Sequence, residues 1–261
     1  MCMVYSVTSQ KGGTAKTTTV FNFGAYLAGK GYRVLLIDTD PQGSLTASLG
    51  FGNPDEMDVT IANVMEKEIN DENYDRKNYA ILHHSEGIDI LPGNIELSGL
   101  EVSLVNTWSR EFVLKRYVDK IRDFYDYIIF DCASNLSLTT INCLVASDRV
   151  IVPVHAAYLS LKALEQLIKT VGRVKRGLNT KLEIDGILIT MLNGRTNYAK
   201  GIIELLDTAY GNNIRVYENK IPYSVRAAEM AAEGISIFKH DPNGKVAMAY
   251  NGFAEEVLRY E

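Results

Sequence analysis

Apolar positions follow two rhythms along this chain, and the rhythms take turns. Residues 4–8 are a short β-branched run that reads as a strand. Residues 16–28 then set Val20, Phe23 and Leu27 at three- and four-residue spacing, the stripe of a one-sided helix. Gly29-Lys30-Gly31 stops it. Residues 33–38 (RVLLID) are apolar almost without a break, as expected of a strand covered on both faces. The alternation recurs, with further strands expected over residues 88–91, 127–131, 149–154 and 184–192. Helices are expected over residues 111–124, 139–146, 161–174 and 198–210. Residues 216–221 read as a short strand, and Asn243 as the cap of a last helix running to about Tyr260. Residues 51–80 are polar and weakly periodic, with an acidic run from Glu66 to Asp75, and predict short helices and a loop.

No internal repeat, low-complexity tract or linker interrupts this alternation. It predicts an α/β fold: a single three-layer domain over residues 1–261, with a mainly parallel twisted sheet flanked by helices. Ligands of such sheets sit at the carboxyl ends of the strands, and the polar motifs of this chain fall at those ends.

Composition narrows the function classes. At 46% hydrophobic and 23% charged residues, the chain has ordinary globular character. Its three cysteines form no CxxC pair and its four histidines no HExxH, which argues against a disulfide framework or a zinc site. Charge and glycine arrive by Lys11 and Gly12, so no signal pattern opens the chain. No apolar run approaches the ~20 residues of a membrane span. A soluble, cytoplasmic protein with no membrane contact is expected. The net charge of −5 is uneven: residues 1–130 carry 12 Lys/Arg against 18 Asp/Glu, and residues 131–261 carry 15 against 14. Lys169, Arg173, Lys175, Arg176 and Lys181 follow one another with no acid between. They are either a solvated helix end or a local basic face.

Three motifs carry chemistry. Ser9-Gln10-Lys11-Gly12-Gly13-Thr14-Ala15-Lys16-Thr17-Thr18 follows a strand and opens a helix. Glycines let backbone N–H groups turn toward phosphate oxygens, and the helix adds its positive end. Lys16 would reach the outer phosphates, and the Thr17 hydroxyl would ligate Mg²⁺. The ordinary GxxxxGK[ST] pattern does not fit, since its glycines would fall on Gln10 and Ala15. Asp38-Thr39-Asp40-Pro41-Gln42-Gly43 closes the second strand with two carboxylates. A carboxylate there, assigned to Asp40, can hold Mg²⁺ through water or orient an attacking water. Tyr127-Ile128-Ile129-Phe130-Asp131 ends a third apolar strand on an acid that would support Mg²⁺.

The loop matches KGGxxK[ST], with Lys11 as the extra lysine, and the chain is identified on these residues as resembling the ParA/Soj/MinD group of deviant P-loop NTPases. LLIDTDPQGSLT and YIIFDCASNLSLTTINCL resemble the family's second and third regions. VIVPVHAAYLSLKALEQLIKTV, TMLNGRTN and KIPYSVRAAEMAAEG resemble the ParA/Soj branch. The resemblance implies an ATPase using ATP and Mg²⁺, with nucleotide bound by Lys11, Gly12, Gly13, Thr14, Ala15, Lys16, Thr17 and Thr18. Lys11, Lys16 and Asp40 would be catalytic, and Thr17, Asp40 and Asp131 would serve the metal. It implies a homodimer closed by ATP, with Lys11 crossing to the partner's phosphates. It also implies non-specific binding of double-stranded DNA, a ParB-like partner that stimulates slow hydrolysis, and nucleoid association in the ATP state. Arg195 and Arg226 match phosphate-contacting positions, and Lys169, Arg173, Lys175, Arg176 and Lys200 would extend that face. No N-terminal helix-turn-helix domain is expected ahead of the first strand. Two departures stand out: Ala15 replaces a usual glycine, and Ala133-Ser134 replace a usual proline pair. Two alternatives stay open. One is a nucleotide-gated regulatory module with little hydrolysis. The other is a MinD-like membrane switch, which the acidic last helix disfavours.

Overall fold

A computed structural model describes residues 2–156, 161–193, 197–211 and 213–260, without the side chains of 197–200. Seven strands form one sheet: β1 (Met3–Val7), β2 (Val34–Thr39), β3 (Leu82–His84), β4 (Ile88–Leu91), β5 (Tyr127–Cys132), β6 (Arg149–His155) and β7 (Glu183–Thr190). Their order is β3-β4-β2-β5-β1-β6-β7, and only the β3–β4 edge pair is antiparallel. The central strands β2 and β5 are buried at every position. That burial accounts for their unbroken apolar sequences, since helices cover both sheet faces.

The helices are α1 (Lys16–Gly29), α2 (Ser44–Ser48), α3 (Ile61–Ile69), α4 (Glu96–Leu104), α5 (Val113–Ile121), α6 (Leu138–Ala146), α7 (Leu161–Gly177), α8 (Asn197–Tyr210), α9 (Arg226–Glu233), α10 (Ile237–His240) and α11 (Lys245–Arg259). Strand alternation sorts them into layers. Val34 and Leu36 of β2 face a core shared with Phe23 of α1, Met230 of α9 and Phe253 of α11. Leu35 and Ile37 face the opposite core, with Val64 of α3, Leu100 of α4 and Val118 of α5. On the same side, β6 and β7 turn Val150, Val152, Ile187 and Ile189 toward Leu164 and Leu167 of α7.

Two expectations are corrected. Residues 216–221 form no strand. Ile187↔Val216 and Leu192↔Pro222 are isolated bridges, because the amides of Glu218 and Asn219 donate to the Glu256 carboxylate of α11 instead of a ladder. The last helix is not capped by Asn243. Its N-cap is Gly244, with no side-chain cap, and a Cβ there would stand 2.0 Å from an Asp241 carboxylate oxygen. The polar stretch 51–80 holds a 3₁₀ turn at Pro54–Glu56 and then α3, which Thr60 and Asn63 open with a capping box. Strand β3 and helices α2, α4, α9 and α10 lie outside the expected elements, although α4 sets Leu97, Leu100 and Leu104 at three- and four-residue spacing.

Candidate nucleotide site

The register of the sheet gathers the three motifs. Asp131 of β5 is the Cα partner of both Val7 at the end of β1 and Asp38 near the end of β2. The loop after β1 therefore starts beside both acids. Thr8 bonds back to Ile151 through its amide (3.1 Å). Two residues of the loop lie in the left-handed region, Gly13 (φ 71°) and Ala15 (φ 58°, ψ 33°). The left-handed turn reverses the chain into α1, whose first intrahelical bond runs from the Thr19 amide to the Ala15 carbonyl (2.9 Å). The amides before Thr19 have no intrahelical acceptor. Ala15 supplies no side-chain cap, and no acid stands in the first turn. The positive end of a 14-residue helix is thus left for an anion. The loop is tied down from β7, where the Thr190 hydroxyl donates to the Thr14 carbonyl (3.1 Å).

Lys16 is 7% exposed and donates from Nζ to the Ser134 hydroxyl (2.7 Å). Thr17 Oγ1 donates to Asp131 Oδ2 (2.7 Å). The other oxygen, Asp131 Oδ1, is buried with no hydrogen-bond partner. Burial, and then the neighbouring charge of Asp38, push the Asp131 carboxyl well above the ordinary range. Asp38 is likewise raised, by burial, against the bonds it accepts from the Thr46 amide (2.9 Å), the Thr46 hydroxyl (2.8 Å) and the Asp40 amide (3.2 Å). Two buried acids raised side by side, one with an orphaned oxygen, fit a divalent cation that relieves their repulsion. Among the described residues no group of three His, Cys, Asp or Glu side chains could hold a metal alone. That suits Mg²⁺, which takes one or two carboxylates together with substrate phosphates.

Asp38 and Asp40, alike in sequence, separate here. Asp38 is fully buried and pins its loop through Thr46, while Asp40 is half-buried at the opening and accepts from the Gln42 amide (3.0 Å). Lys11, Gly12 and Gly13 are exposed on the lip, with Thr14 buried behind them and Thr18 half-buried in the first turn of α1. Lys11 lies close enough to the end of β6 that its charge, after burial, helps to lower the pKa of His155. Sequence reading left out Asp38 and Ser134. The DxD repeat marked the first. The second stood out only as part of the Ala133-Ser134 departure from a usual proline pair, with no role attached to it.

The proposed DNA residues divide. Lys169, Arg173, Lys175 and Arg176 are all exposed on α7. Lys169 pairs with Glu165 (2.5 Å) and Lys175 with Glu183 (3.7 Å), while Arg173 and Arg176 make no ion pair among the described residues. Arg226 is exposed on α9 and pairs with Glu229 (3.1 Å). Helices α7 and α9 pack against opposite faces of the sheet. Arg195 lies outside the described residues, as does the side chain of Lys200. No helix among the described residues is long and apolar enough to cross a membrane.

A family model described as an AAA domain matches residues 2–184. The sporulation initiation inhibitor protein Soj of Bacillus subtilis (strain 168) is 42% identical over 260 residues, covering 98% of each chain. The chromosome partitioning protein ParA of Caulobacter vibrioides is 34% identical, over 99% of this chain and 94% of its own. Among solved structures, cobyrinic acid a,c-diamide synthase from Mycobacterium smegmatis with bound ADP and magnesium superposes with a TM-score of 0.86. It is 34% identical, over 100% of this chain and 95% of its own. With a glycine-turned loop, a buried lysine and two acids at the carboxyl ends of the central strands, and with relatives matched end to end, the chain belongs to the ParA/Soj-type family of P-loop ATPases.

Proposed function

We propose that this chain is a nucleotide-gated switch. Its ATP form closes into a homodimer, holds double-stranded DNA without sequence preference, and is reset by hydrolysis that a ParB-like partner accelerates. The cellular task is partition of a chromosome, plasmid or mobile element; the Caulobacter relative is a chromosome partitioning protein. The observation that carries the reading is Asp131: one oxygen on the Thr17 hydroxyl, the other buried and unpartnered, at the mouth of the loop.

Within this reading the residues divide the work. Lys16 and the amides of residues 13–18 bind the phosphates. Thr17 and Asp131, with Asp40 through water, would hold Mg²⁺, which when bound neutralises phosphate charge. Asp40 also stands where it can orient an attacking water. Lys11, exposed on the lip, can reach a facing subunit, where two triphosphates need compensating cations. The α7 stripe of Lys169, Arg173 and Arg176 offers charge and reach, which is all that phosphate contacts require. A membrane switch is less well supported, because α11 spends Phe253, Ala254 and Val257 inside the core.

The test is calorimetry with Mg-ATP, paired with light scattering on gel filtration. The wild-type chain is expected to bind ATP and double in mass, and Lys16→Ala to lose both. Unchanged ATP affinity in Lys16→Ala would refute the site.

A further inference from the structure

Ser134 stands at one of the two positions where the family resemblance leads to a proline, and it brings a hydroxyl to the loop. Its Oγ accepts from Lys16 Nζ at 2.7 Å. A serine hydroxyl carries one hydrogen and two lone pairs. While it accepts from the lysine, its hydrogen remains, and no acceptor takes it among the described residues. The lip of the loop is also near it, where a Cβ added to Gly12 would stand 3.9 Å from Ser134 Oγ. The residue is half-buried in the segment between β5 and α6, two positions past Cys132 at the strand end. The hydroxyl thus lies near both the loop lysine and the exposed glycine lip, with a proton to give.

We propose that Ser134 touches the substrate: held by Lys16, its hydroxyl donates to an oxygen of the terminal phosphate of a bound nucleoside triphosphate. This rests on reading the loop as a triphosphate site and adds to it a residue that tells triphosphate from diphosphate. The amides of α1 and its preceding turn serve the inner phosphates. The Lys16–Ser134 pair reaches the outermost one, so loss of the hydroxyl is felt by the triphosphate and not by ADP.

The experiment is calorimetry on the full chain with Mg²⁺ and either AMPPNP or ADP, for wild type, Ser134→Ala, Ser134→Gly and Ser134→Thr. Deleting the hydroxyl by either of the first two changes is expected to weaken AMPPNP about tenfold, the loss of one charge-assisted bond. ADP affinity should change less than about twofold, a difference too small to represent a lost bond. Threonine, which keeps the hydroxyl, should hold both affinities near wild type. Equal weakening of both nucleotides would mean general distortion of the loop and would overturn the proposal. Equal tightening would make Ser134 a competitor for Lys16 in the empty protein, and no change would make it a bystander; each also overturns it. If the wild-type chain bound neither nucleotide, the triphosphate reading itself would fall, a different result from any split between the variants.

Discussion

Replacing Ala15 by glycine tests the backbone of the loop directly. Ala15 sits at φ 58° and ψ 33°. In that region the Cβ of an L-residue crowds the following carbonyl, at about 1–2 kcal/mol. Glycine has no Cβ and escapes this penalty, but its unfolded chain is freer, which takes back about 0.4–1 kcal/mol. The balance favours Ala15→Gly by about 0.5–1 kcal/mol. For a chain of this size that raises Tm by about 1–4 °C. Scanning calorimetry of the nucleotide-free protein reads it. Ala15→Val supplies the opposite arm: a β-branched side chain tolerates the left-handed region worse, so its Tm should fall below wild type. A glycine variant that melts lower than wild type, or a valine variant that melts with it, would show that residue 15 does not carry this turn. If strain at Ala15 also restrains turnover, the glycine variant should hydrolyse ATP faster, which bears on the regulatory-module alternative.

Other perturbations reach other parts of the molecule. Gly93 presses its Cα against the end of β2, and a Cβ there would stand 2.4 Å from the Asp38 carbonyl oxygen. Gly93→Ala should therefore destabilise by about 3 kcal/mol in urea titration and weaken nucleotide binding by shifting the Asp38–Asp40 turn; a loss under about 0.5 kcal/mol would contradict the contact. Hydrogen bonds from the Arg33 side chain and amide hold Asp126 down to about 2. A carboxyl lowered on folding adds stability above its unfolded pKa near 4, and this contribution disappears as pH falls toward 2. The gap in urea midpoint between wild type and Asp126→Asn should thus be present at pH 6, narrow below pH 4 and close only as pH falls through about 2, and a gap independent of pH would remove this account. Arg173→Ala with Arg176→Ala should leave ATP-dependent mass unchanged, weaken DNA retention alike for all sequences, and flatten the slope of log K against log salt by about 1.8. An unchanged slope would exclude α7 from the DNA face.

Much of the fold was legible before any coordinates. Strands β2 and β5 announced themselves because a strand covered on both faces must be apolar at every position, and their sequences are. The helices with a clear stripe, α1 and α7, were found within a few residues of their ends. The strand at residues 216–221 was misread because Tyr217 and Ile221 do bond to β7 while the amides between them turn to Glu256, a residue some 40 positions on in the chain. No local pattern reports a bond to so distant a partner. Helix α9 was missed because its core-facing stripe, Ala227, Met230 and Ala231, is mostly alanine and buries only Met230 fully.

The same division holds at the candidate site. Sequence alone identified the glycine-bent loop, its two lysines and the acids at the ends of β2 and β5, because each motif is contiguous and its chemistry follows from residue type and spacing. Tertiary structure decided what those residues do to one another. It set Asp38 beside Asp131 through strand register, so that their charges compete for one buried space. It made Asp38 a buried anchor and left Asp40 at the opening, though the two acids read alike. And it carried Ser134 across 118 positions of chain to the ammonium of Lys16. Register, burial and distant hydrogen bonds depend on where the whole sheet folds, and for that reason they leave no mark in a local stretch of sequence.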